Sequence, residues 1–297
     1  MPQEPPQDAS PDPRAVPQSQ VFGGAFIRGY ERLRHVASGK RADIFLAQRL
    51  ESRSRVALKV VRDQHEHGEA SDSFLRFLQE YEIAQRIRHP GIVRLFDLGV
   101  SDEHAWLVME YFPRGDLRRR IRAGITPGTA LRVAAQIARA LEALHEAGVV
   151  HRDLKPGNVM MREGTDIALI DFGLSKDMRL DLGLTERGLI FGTPHYMSPE
   201  QGHGHASSPQ SDLYSLGVIL YEMLTGSKPY RADNAMSLIY KHTKEPLPQL
   251  AGALRTLQPL LERLLAKEAA GRFGSAAEAA DALEEAARRS REEPVSA

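Results

Sequence analysis

The sequence HRDLKPGN at residues 151–158, followed by DFG at residues 171–173, is the stretch that decides the fold. It combines the carboxylate of Asp153, the ammonium group of Lys155 and the amide of Asn158, and Asp171 adds a second carboxylate. In such a set a carboxylate can receive a hydroxyl proton, the ammonium group can bind a phosphate, and the amide and second carboxylate can bind Mg²⁺ through their oxygens. The two motifs therefore match the pattern of a phosphoryl-transfer site.

Two short apolar segments lie between Asn158 and Asp171. Residues 159–161 and 167–170 are too short for helices and rich in apolar side chains, so we predict two strands around a polar turn at 163–166. Further downstream, residues 213–224 are apolar nearly all round, which predicts a helix buried in the centre of a lobe and ended by Gly226.

Helix signals on both sides of this region complete a mostly helical second part. Thr126 and the proline after it predict the start of a helix that Gly148 ends and that delivers the chain to residue 151. Ser275 with Glu278 predicts a capping box for a last, alanine-rich helix.

The first part of the chain has mainly strand patterns, in contrast to the helical second part. Alternating apolar and polar runs at residues 30–61 and 91–109 predict a small antiparallel sheet, and apolar residues at helical spacing between 74 and 87 predict one helix against it. We expect an α+β protein of two lobes, at about 30–110 and 115–290, with a cleft between them and a hinge near 110–114. The domain spans 26–290, residues 1–25 form a disordered tail rich in proline and glutamine, and 291–297 form a C-terminal tail.

Composition excludes several classes of partner and chemistry. Lysine plus arginine equals aspartate plus glutamate at 39 each, so no global field favours nucleic acid or an anionic membrane. The absence of cysteine excludes disulfides, thiolate zinc sites and a cysteine nucleophile. No stretch has the length and apolarity of a signal peptide or a membrane span, and we expect a cytoplasmic protein.

In the order and spacing of these motifs, residues 30–290 resemble the eukaryotic-like, bacterial-type serine/threonine protein kinases. A lysine two places after the aspartate, as at Lys155, is typical of the Ser/Thr branch. The resemblance implies a two-lobed kinase fold with a sheet-rich N-lobe and a helical C-lobe. It also implies transfer of the γ-phosphate of ATP to serine and threonine hydroxyls of proteins, with Mg²⁺, or Mn²⁺ in its place.

Carried over by position, the resemblance gives each motif residue a role. Asp153 corresponds to the base that orients the substrate hydroxyl, Lys155 to the cation on the moving phosphoryl group, and Asn158 and Asp171 to the metal ligands. Lys59 in VALK corresponds to the lysine on the α- and β-phosphates. Glu80 is its expected partner, because it projects among the apolar residues of the predicted helix and a buried carboxylate requires a cation, although a solvated surface pair is the alternative.

The phosphate-covering loop departs from the family pattern. Alanine stands at Ala37 and Ala42, where the family usually has its first and third glycines, so an ordinary hairpin is the alternative reading. Because it precedes VALK, the segment is expected to cover ATP. Adenine is expected to lie between Met160 on one side and Val36, Ile44 and Ala57 on the other. The hinge backbone from Glu110 to Phe112 is expected to offer it hydrogen bonds. The nucleotide-binding residues implied are Val36, Ala37, Ser38, Gly39, Lys40, Ala42, Ile44, Ala57, Lys59, Met109, Glu110, Phe112 and Met160.

The segment between DFG and SPE resembles an activation loop that ends in a substrate platform. The hydroxyl of Thr193 is expected to bridge Asp153 and Lys155, and Glu200 is expected to pair with Arg272. Asp212, at the head of the buried helix, is expected to hold the backbone of the catalytic loop.

Control by phosphorylation is a further expectation. Arg152 precedes the catalytic aspartate, a feature that the family associates with this type of control. Thr185, eight residues before Thr193, is the candidate for autophosphorylation, with an ordinary surface threonine as the alternative.

Two other functions stay open on the sequence alone. The absence of two of the usual glycines from the phosphate-covering loop suggests a pseudokinase, which binds nucleotide or partners without transfer. A small-molecule phosphotransferase could share the fold. The expected partners are ATP and proteins with Ser or Thr targets, with no nucleic acid and no membrane segment. Phosphorylation in trans would require a transient homodimer.

Overall fold

The structure, a computed structural model, describes residues 27, 29–38, 42–62, 81–82, 85–100, 104–172 and 194–292. Within these ranges the first part of the chain forms a sheet and the second part is mostly helical, which confirms the predicted two-lobed α+β architecture. The hinge region at 111–116 connects the last strand of the sheet to the first helix of the second lobe.

Five antiparallel strands form the sheet in the order β1-β2-β3-β5-β4. They are β1 (Tyr30–Ser38), β2 (Ala42–Arg49), β3 (Arg55–Arg62), β4 (Leu95–Val100) and β5 (His104–Glu110). A separate two-stranded ribbon follows the catalytic loop, with β6 at Val159–Met161 paired to β7 at Ile167–Leu169. Both ribbon strands were predicted, although the second ends one residue earlier than expected.

Alternation along β3 determines which side chains reach the cleft. Val56, Leu58 and Val60 are buried in a small apolar cluster on one face of the sheet. Ala57 and Lys59 therefore point to the opposite face, where both are only partly buried. The strand thus places a lysine on the side of the sheet that faces the second lobe.

Seven helices have both ends within the described residues, and these seven lie in the second lobe. They are α1 (Leu117–Arg122), α2 (Pro127–Glu146), α3 (Pro199–Gly202), α4 (Pro209–Thr225), α5 (Ala235–Lys244), α6 (Gln258–Leu264) and α7 (Ala276–Glu292), together with 3₁₀ turns at Pro156–Asn158, Gly252–Leu257 and Ala269–Gly271.

Helices α2 and α4 form the centre of the second lobe. Helix α4 is buried on nearly every side and ends at Gly226, whose φ of 71° is the left-handed conformation that glycine adopts at little cost. Helix α2 begins at Pro127 after Thr126, as predicted, and Gly148 follows its end with a φ of 75°. Because α4 is surrounded by apolar side chains, its first turn provides a rigid support for the catalytic loop.

One capping prediction was wrong in part. The Ser275 hydroxyl accepts a hydrogen bond from the Glu278 N–H at 3.1 Å, as a capping box requires. The Glu278 carboxylate, however, accepts from the N–H of Gly274 at 2.8 Å rather than from that of Ser275. The side chain therefore closes the turn one residue further upstream.

Candidate active site

The catalytic loop brings three of the predicted residues into direct contact. Lys155 Nζ donates to Asp153 Oδ2 at 2.5 Å, and Asn158 Nδ2 donates to the same oxygen at 3.0 Å and to the Asp153 carbonyl at 2.8 Å. The side chains of Asp153 and Lys155 are 48% and 43% exposed, so an incoming molecule can reach both of them. Asn158 is almost fully buried beneath them.

The first turn of α4 holds this loop, as predicted from the sequence. The buried carboxylate of Asp212 accepts hydrogen bonds from the N–H groups of His151 at 2.8 Å and Arg152 at 2.9 Å, and His145 Nε2 lies 2.8 Å from it. Arg152 has a φ of 69°, which is uncommon for a residue other than glycine. The surrounding contacts stabilise this conformation, and such strain is typical of functional loops.

Asp171 lies across the loop from Asp153 and meets the lysine of β3. Lys59 Nζ donates to Asp171 Oδ1 at 2.8 Å, which joins the sheet to the second lobe. Asp171 also has a positive φ, of 57°. The adjacent N–H of Ile170 donates to the Asn158 carbonyl at 3.0 Å, so both predicted metal ligands lie on directly bonded segments.

The buried aromatic residues next to these segments keep them in place. Phe172 is fully buried and meets the ring of His151 edge to face, with the ring centroids 6.4 Å apart. Burial lowers the pKa of His151, against the opposing charge of Asp212. His151 is therefore a neutral packing residue between the two motifs.

The donor set of Asn158 and Asp171 fits a divalent cation of the magnesium type. Because the Asn158 amide nitrogen is bonded to Asp153, the atom left for a ligand is its oxygen, and carboxylate and amide oxygens are the ligands that Mg²⁺ prefers. The ammonium group of Lys59 on Asp171 Oδ1 shows that positive charge is accommodated at this carboxylate.

Two of the apolar residues predicted to contact adenine, Ile44 and Ala57, lie on the face of the sheet that carries Lys59. Ile44 is directly opposite Lys59, and Ala57 is directly opposite Met109, so the four side chains share one face. Ile44 and Ala57 are partly buried, Val36 at the edge is 44% exposed, and Met109 is buried behind them. On the second lobe, Met160 of β6 is partly buried.

Two backbone groups of the hinge segment take part in hydrogen bonds within the protein. The Glu110 N–H donates to the Arg94 carbonyl at 2.9 Å, and the Phe112 carbonyl accepts from the Gly115 N–H at 3.1 Å. The Glu110 N–H is therefore already used, whereas the Phe112 carbonyl keeps a second lone pair, and hydrogen bonding from this backbone segment to a ligand stays a prediction.

Between β1 and β2, Ser38 has a second role that the sequence did not predict. Its hydroxyl donates to Asp43 Oδ1 at 2.7 Å and lies 3.0 Å from His35 Nε2. Asp43 is almost fully buried. Ala37 and Ala42 lie at the ends of these strands, opposite Ile44 and Val61 respectively, whereas Gly39 and Lys40 lie outside the described residues.

The predicted ion pair below the substrate platform is present and buried. Arg272 donates to both carboxylate oxygens of Glu200, at 2.7 and 2.9 Å, and the Ser211 hydroxyl donates to Glu200 at 2.7 Å. Burial disfavours the charged carboxylate, but the hydrogen bonds from Arg272 and Ser211 outweigh it and lower the pKa of Glu200 to about 2.

An arginine between the lobes was missed by the sequence reasoning. Arg162 donates to both oxygens of Glu110, at 2.7 and 2.8 Å, and also bonds to the carbonyls of Pro90 and Ile167. It thereby ties the end of β5 to the residue after β6. The only available signal was an arginine placed directly after a short apolar strand.

Besides Gly39 and Lys40, three further predicted residues lie in parts of the chain that are not described. Glu80, Thr185 and Thr193 lie outside the described residues, as does most of the helix predicted between 74 and 87, although residues 81–82 and 85–86 are helical. In the part of the chain that is described, no helix has both the length and the apolar character needed to cross a membrane.

Comparison with known sequences identifies the family. The protein kinase domain family matches residues 30–285, and the chain belongs to this family. It is 35% identical to the serine/threonine-protein kinase pkn2 of Myxococcus xanthus over 281 residues, which cover 90% of this chain and 33% of the relative.

Two further relatives are also named as bacterial serine/threonine kinases. PknA of Mycobacterium tuberculosis is 36% identical over 269 residues, covering 88% of this chain and 62% of the relative. The probable serine/threonine-protein kinase PknB of Lactococcus lactis is 32% identical over 257 residues, covering 84% of this chain and 40% of the relative. The chain thus spans between a third and somewhat under two thirds of these relatives, and they place it in the bacterial-type Ser/Thr branch.

Proposed function

We propose that this domain transfers the γ-phosphate of Mg-ATP to serine and threonine hydroxyls of proteins. The observation that carries the proposal is the Lys59–Asp171 contact at 2.8 Å, which joins the sheet to the loop where Asp153, Lys155 and Asn158 meet. A cleft with cations on one side and a proton-accepting carboxylate on the other is what phosphoryl transfer requires.

Asp153 is the residue that orients the attacking hydroxyl and receives its proton. Its carboxylate is half exposed, and Asn158 and Lys155 fix its orientation through hydrogen bonds. Lys155 remains close enough to offset the charge of the moving phosphoryl group, because its ammonium group is also exposed to the cleft. The role of the loop is therefore to position an acceptor oxygen and to balance charge.

Lys59 binds the α- and β-phosphates, and Glu80 is its proposed partner. Asn158 and Asp171 would hold Mg²⁺, or Mn²⁺, which neutralises phosphate charge when it is bound. The adenine base would lie against Val36, Ile44 and Ala57 on the sheet side, with Met160 opposite it. Exposure of Val36 and partial burial of the others are consistent with a surface that a ligand covers.

We also propose how the domain is regulated, which residues form it and where in the cell it acts. Thr185 is the proposed site of autophosphorylation, acting through Arg152, and transfer between two copies would require a transient homodimer. We assign the catalytic domain to residues 26–290. Because ATP is the donor, we propose that the domain acts in the cytoplasm.

The test is transfer of labelled γ-phosphate to the protein itself and to a panel of protein substrates. It is run with Mg²⁺, with Mn²⁺ and with a chelator, and mass spectrometry locates the phosphates. Cation-dependent label on serine or threonine supports the proposal. ATP binding without transfer under any of these conditions would contradict it.

A further inference from the structure

Arg118 of α1 lies directly over the catalytic loop. Its guanidinium atoms are 3.0 to 3.2 Å from the position that a Cβ atom would take on Gly157, the residue before Asn158. Because glycine has no side chain, the guanidinium can occupy this space. A larger residue at position 157 would have to displace it, so this contact depends on the glycine.

The backbone fixes Arg118 in this position. Asp116 forms an isolated antiparallel bridge with Met160, and the Met161 N–H donates to the Gly115 carbonyl at 2.9 Å. Leu117, beside Arg118, is fully buried. The start of α1 is therefore attached to the strand that follows the catalytic loop, and the position of Arg118 relative to the active site is set by main-chain contacts.

The pairing of Arg118 with Asp116 neutralises that carboxylate and leaves much of the guanidinium exposed. Its Nε and Nη2 donate to Asp116 Oδ2 at 2.8 and 2.5 Å, while Asp116 Oδ1 caps α1 through the Arg119 N–H at 3.2 Å. Among the residues that the structure describes, Asp116 is the sole hydrogen-bonding partner of the Arg118 side chain. Arg118 is 61% exposed, and its Nη1 is not used by Asp116.

Near this opening, the acidic Glu222 is already paired and several further arginines are exposed. The acidic Glu222 on the far side accepts from the Tyr196 hydroxyl at 2.6 Å and lies 3.7 Å from Lys228 Nζ. Burial raises the pKa of the Tyr196 hydroxyl, and the positive charge of Arg118 has a small effect in the opposite direction. Four further arginines are exposed near Arg118, at positions 114, 119, 120 and 122.

We propose that Arg118 is a specificity-determining residue that selects protein substrates with an acidic residue close to the target serine or threonine. The proposal rests on the proposed kinase function and names the substrate class of that site. A guanidinium held by one carboxylate keeps donors for a second one, and opposite charge beside the reacting hydroxyl favours acidic over basic peptides.

The test uses matched peptides with one threonine in a neutral sequence. Glutamate or lysine replaces a neutral residue at one position at a time, on both sides of the threonine, and kcat/KM is measured for each peptide. In the wild-type protein we expect glutamate to exceed lysine about fivefold at one or more positions, as an exposed charge pair allows. Because each protein is judged by its own Glu-to-Lys ratio, a general change in activity cancels.

Three variants make the assignment specific. Arg118→Ala is expected to bring the ratio near one, and Arg118→Lys is expected to retain part of the preference. Arg289→Ala is the charge-matched control, because Arg289 is an exposed arginine paired to Glu285 on α7, and it is expected to keep the wild-type ratio.

The possible failures are distinguishable. Transfer without an acidic preference, or a preference that persists in Arg118→Ala, would overturn the role of Arg118 and leave the kinase function intact. No transfer by the wild-type protein to any peptide or to itself would overturn the proposed function, and the substrate assignment with it.

Discussion

The buried carboxylate of Asp212 accepts a 2.8 Å hydrogen bond from the main-chain N–H of His151, so the centre of the helical lobe holds the start of the catalytic loop. A second bond reaches the Arg152 N–H at 2.9 Å and supports its left-handed backbone. The position of Asp153, one residue later, therefore depends on a helix that takes no part in the chemistry.

Asp212→Asn is expected to lower both stability and activity. An asparagine presents one oxygen and one N–H₂ group, so a buried backbone N–H would face another donor, at a cost of about 1–3 kcal/mol. Urea unfolding and phosphoryl transfer measure the two effects. Asp281→Asn is the control, because Asp281 is 71% exposed and its bond to Arg139 lies on the surface. Equal effects of the two substitutions would contradict the role of Asp212.

Lys59→Met is expected to abolish most phosphoryl transfer without unfolding the protein. Methionine keeps the aliphatic part of the side chain on the cleft face of β3 but removes the cation that meets Asp171, and loss of such a group costs about 10²-fold or more in rate. Arg55→Met is the matched control on the same strand, since Arg55 is exposed at its start. Wild-type rates in Lys59→Met would show that this cation is not needed.

Glu200→Gln tests the ion pair below the platform. It leaves the buried Arg272 guanidinium without a counter-charge, and breaking a buried pair costs about 3–5 kcal/mol. Because the pKa of Glu200 is lowered to about 2 in the folded protein from 4.5, the stabilisation is complete above pH 4.5 and is lost as the pH falls toward 2. Urea unfolding should therefore show the largest difference between the two proteins near neutral pH, with convergence in acid. A difference that does not shrink at low pH would contradict this.

His242 should contribute a separate loss of stability on acidification. Burial, with a smaller effect of the Lys267 charge, lowers its pKa to about 3 from 6.5, and the Tyr214 hydroxyl lies 2.9 Å from its Nδ1. Between these two pH values the unfolded chain binds a proton that the folded protein does not. The free energy of unfolding therefore decreases as the pH is lowered, by at most about 1.4 kcal/mol per pH unit.

His242→Asn removes the titrating group and keeps a polar partner for Tyr214. Its unfolding free energy is therefore expected to change less than that of the wild type between pH 6.5 and pH 4. Parallel curves for the two proteins over this range would show that His242 protonates as easily in the folded state as in the unfolded one.

The parts of the fold that the sequence predicted are those with a local signal. The strands of the sheet, the buried α4 and the strands β6 and β7 follow from apolar patterns that span a few residues. The resemblance of VALK predicts that Lys59 binds phosphates, and in the structure the alternation of β3 places it on the face opposite to that of Val56, Leu58 and Val60.

The missed contacts join side chains that lie far apart in the chain. Arg162 and Glu110 are separated by 52 residues, and no periodic pattern connects them. The contact between Arg118 and Gly157 likewise exists only because α1 is attached to β6 through backbone bonds. The displaced cap of α7 differs by a single residue, which is the scale at which helix ends are set by local geometry rather than by composition.

The most direct test compares the wild-type protein with Asp153→Asn in the transfer of labelled γ-phosphate from Mg-ATP. Asparagine preserves the shape of the side chain and removes the carboxylate that we propose receives the proton. We predict label on serine or threonine in the wild type and a rate lower by about 10²- to 10⁴-fold in the variant. Equal labelling of both proteins, or no labelling of the wild type, would contradict the account.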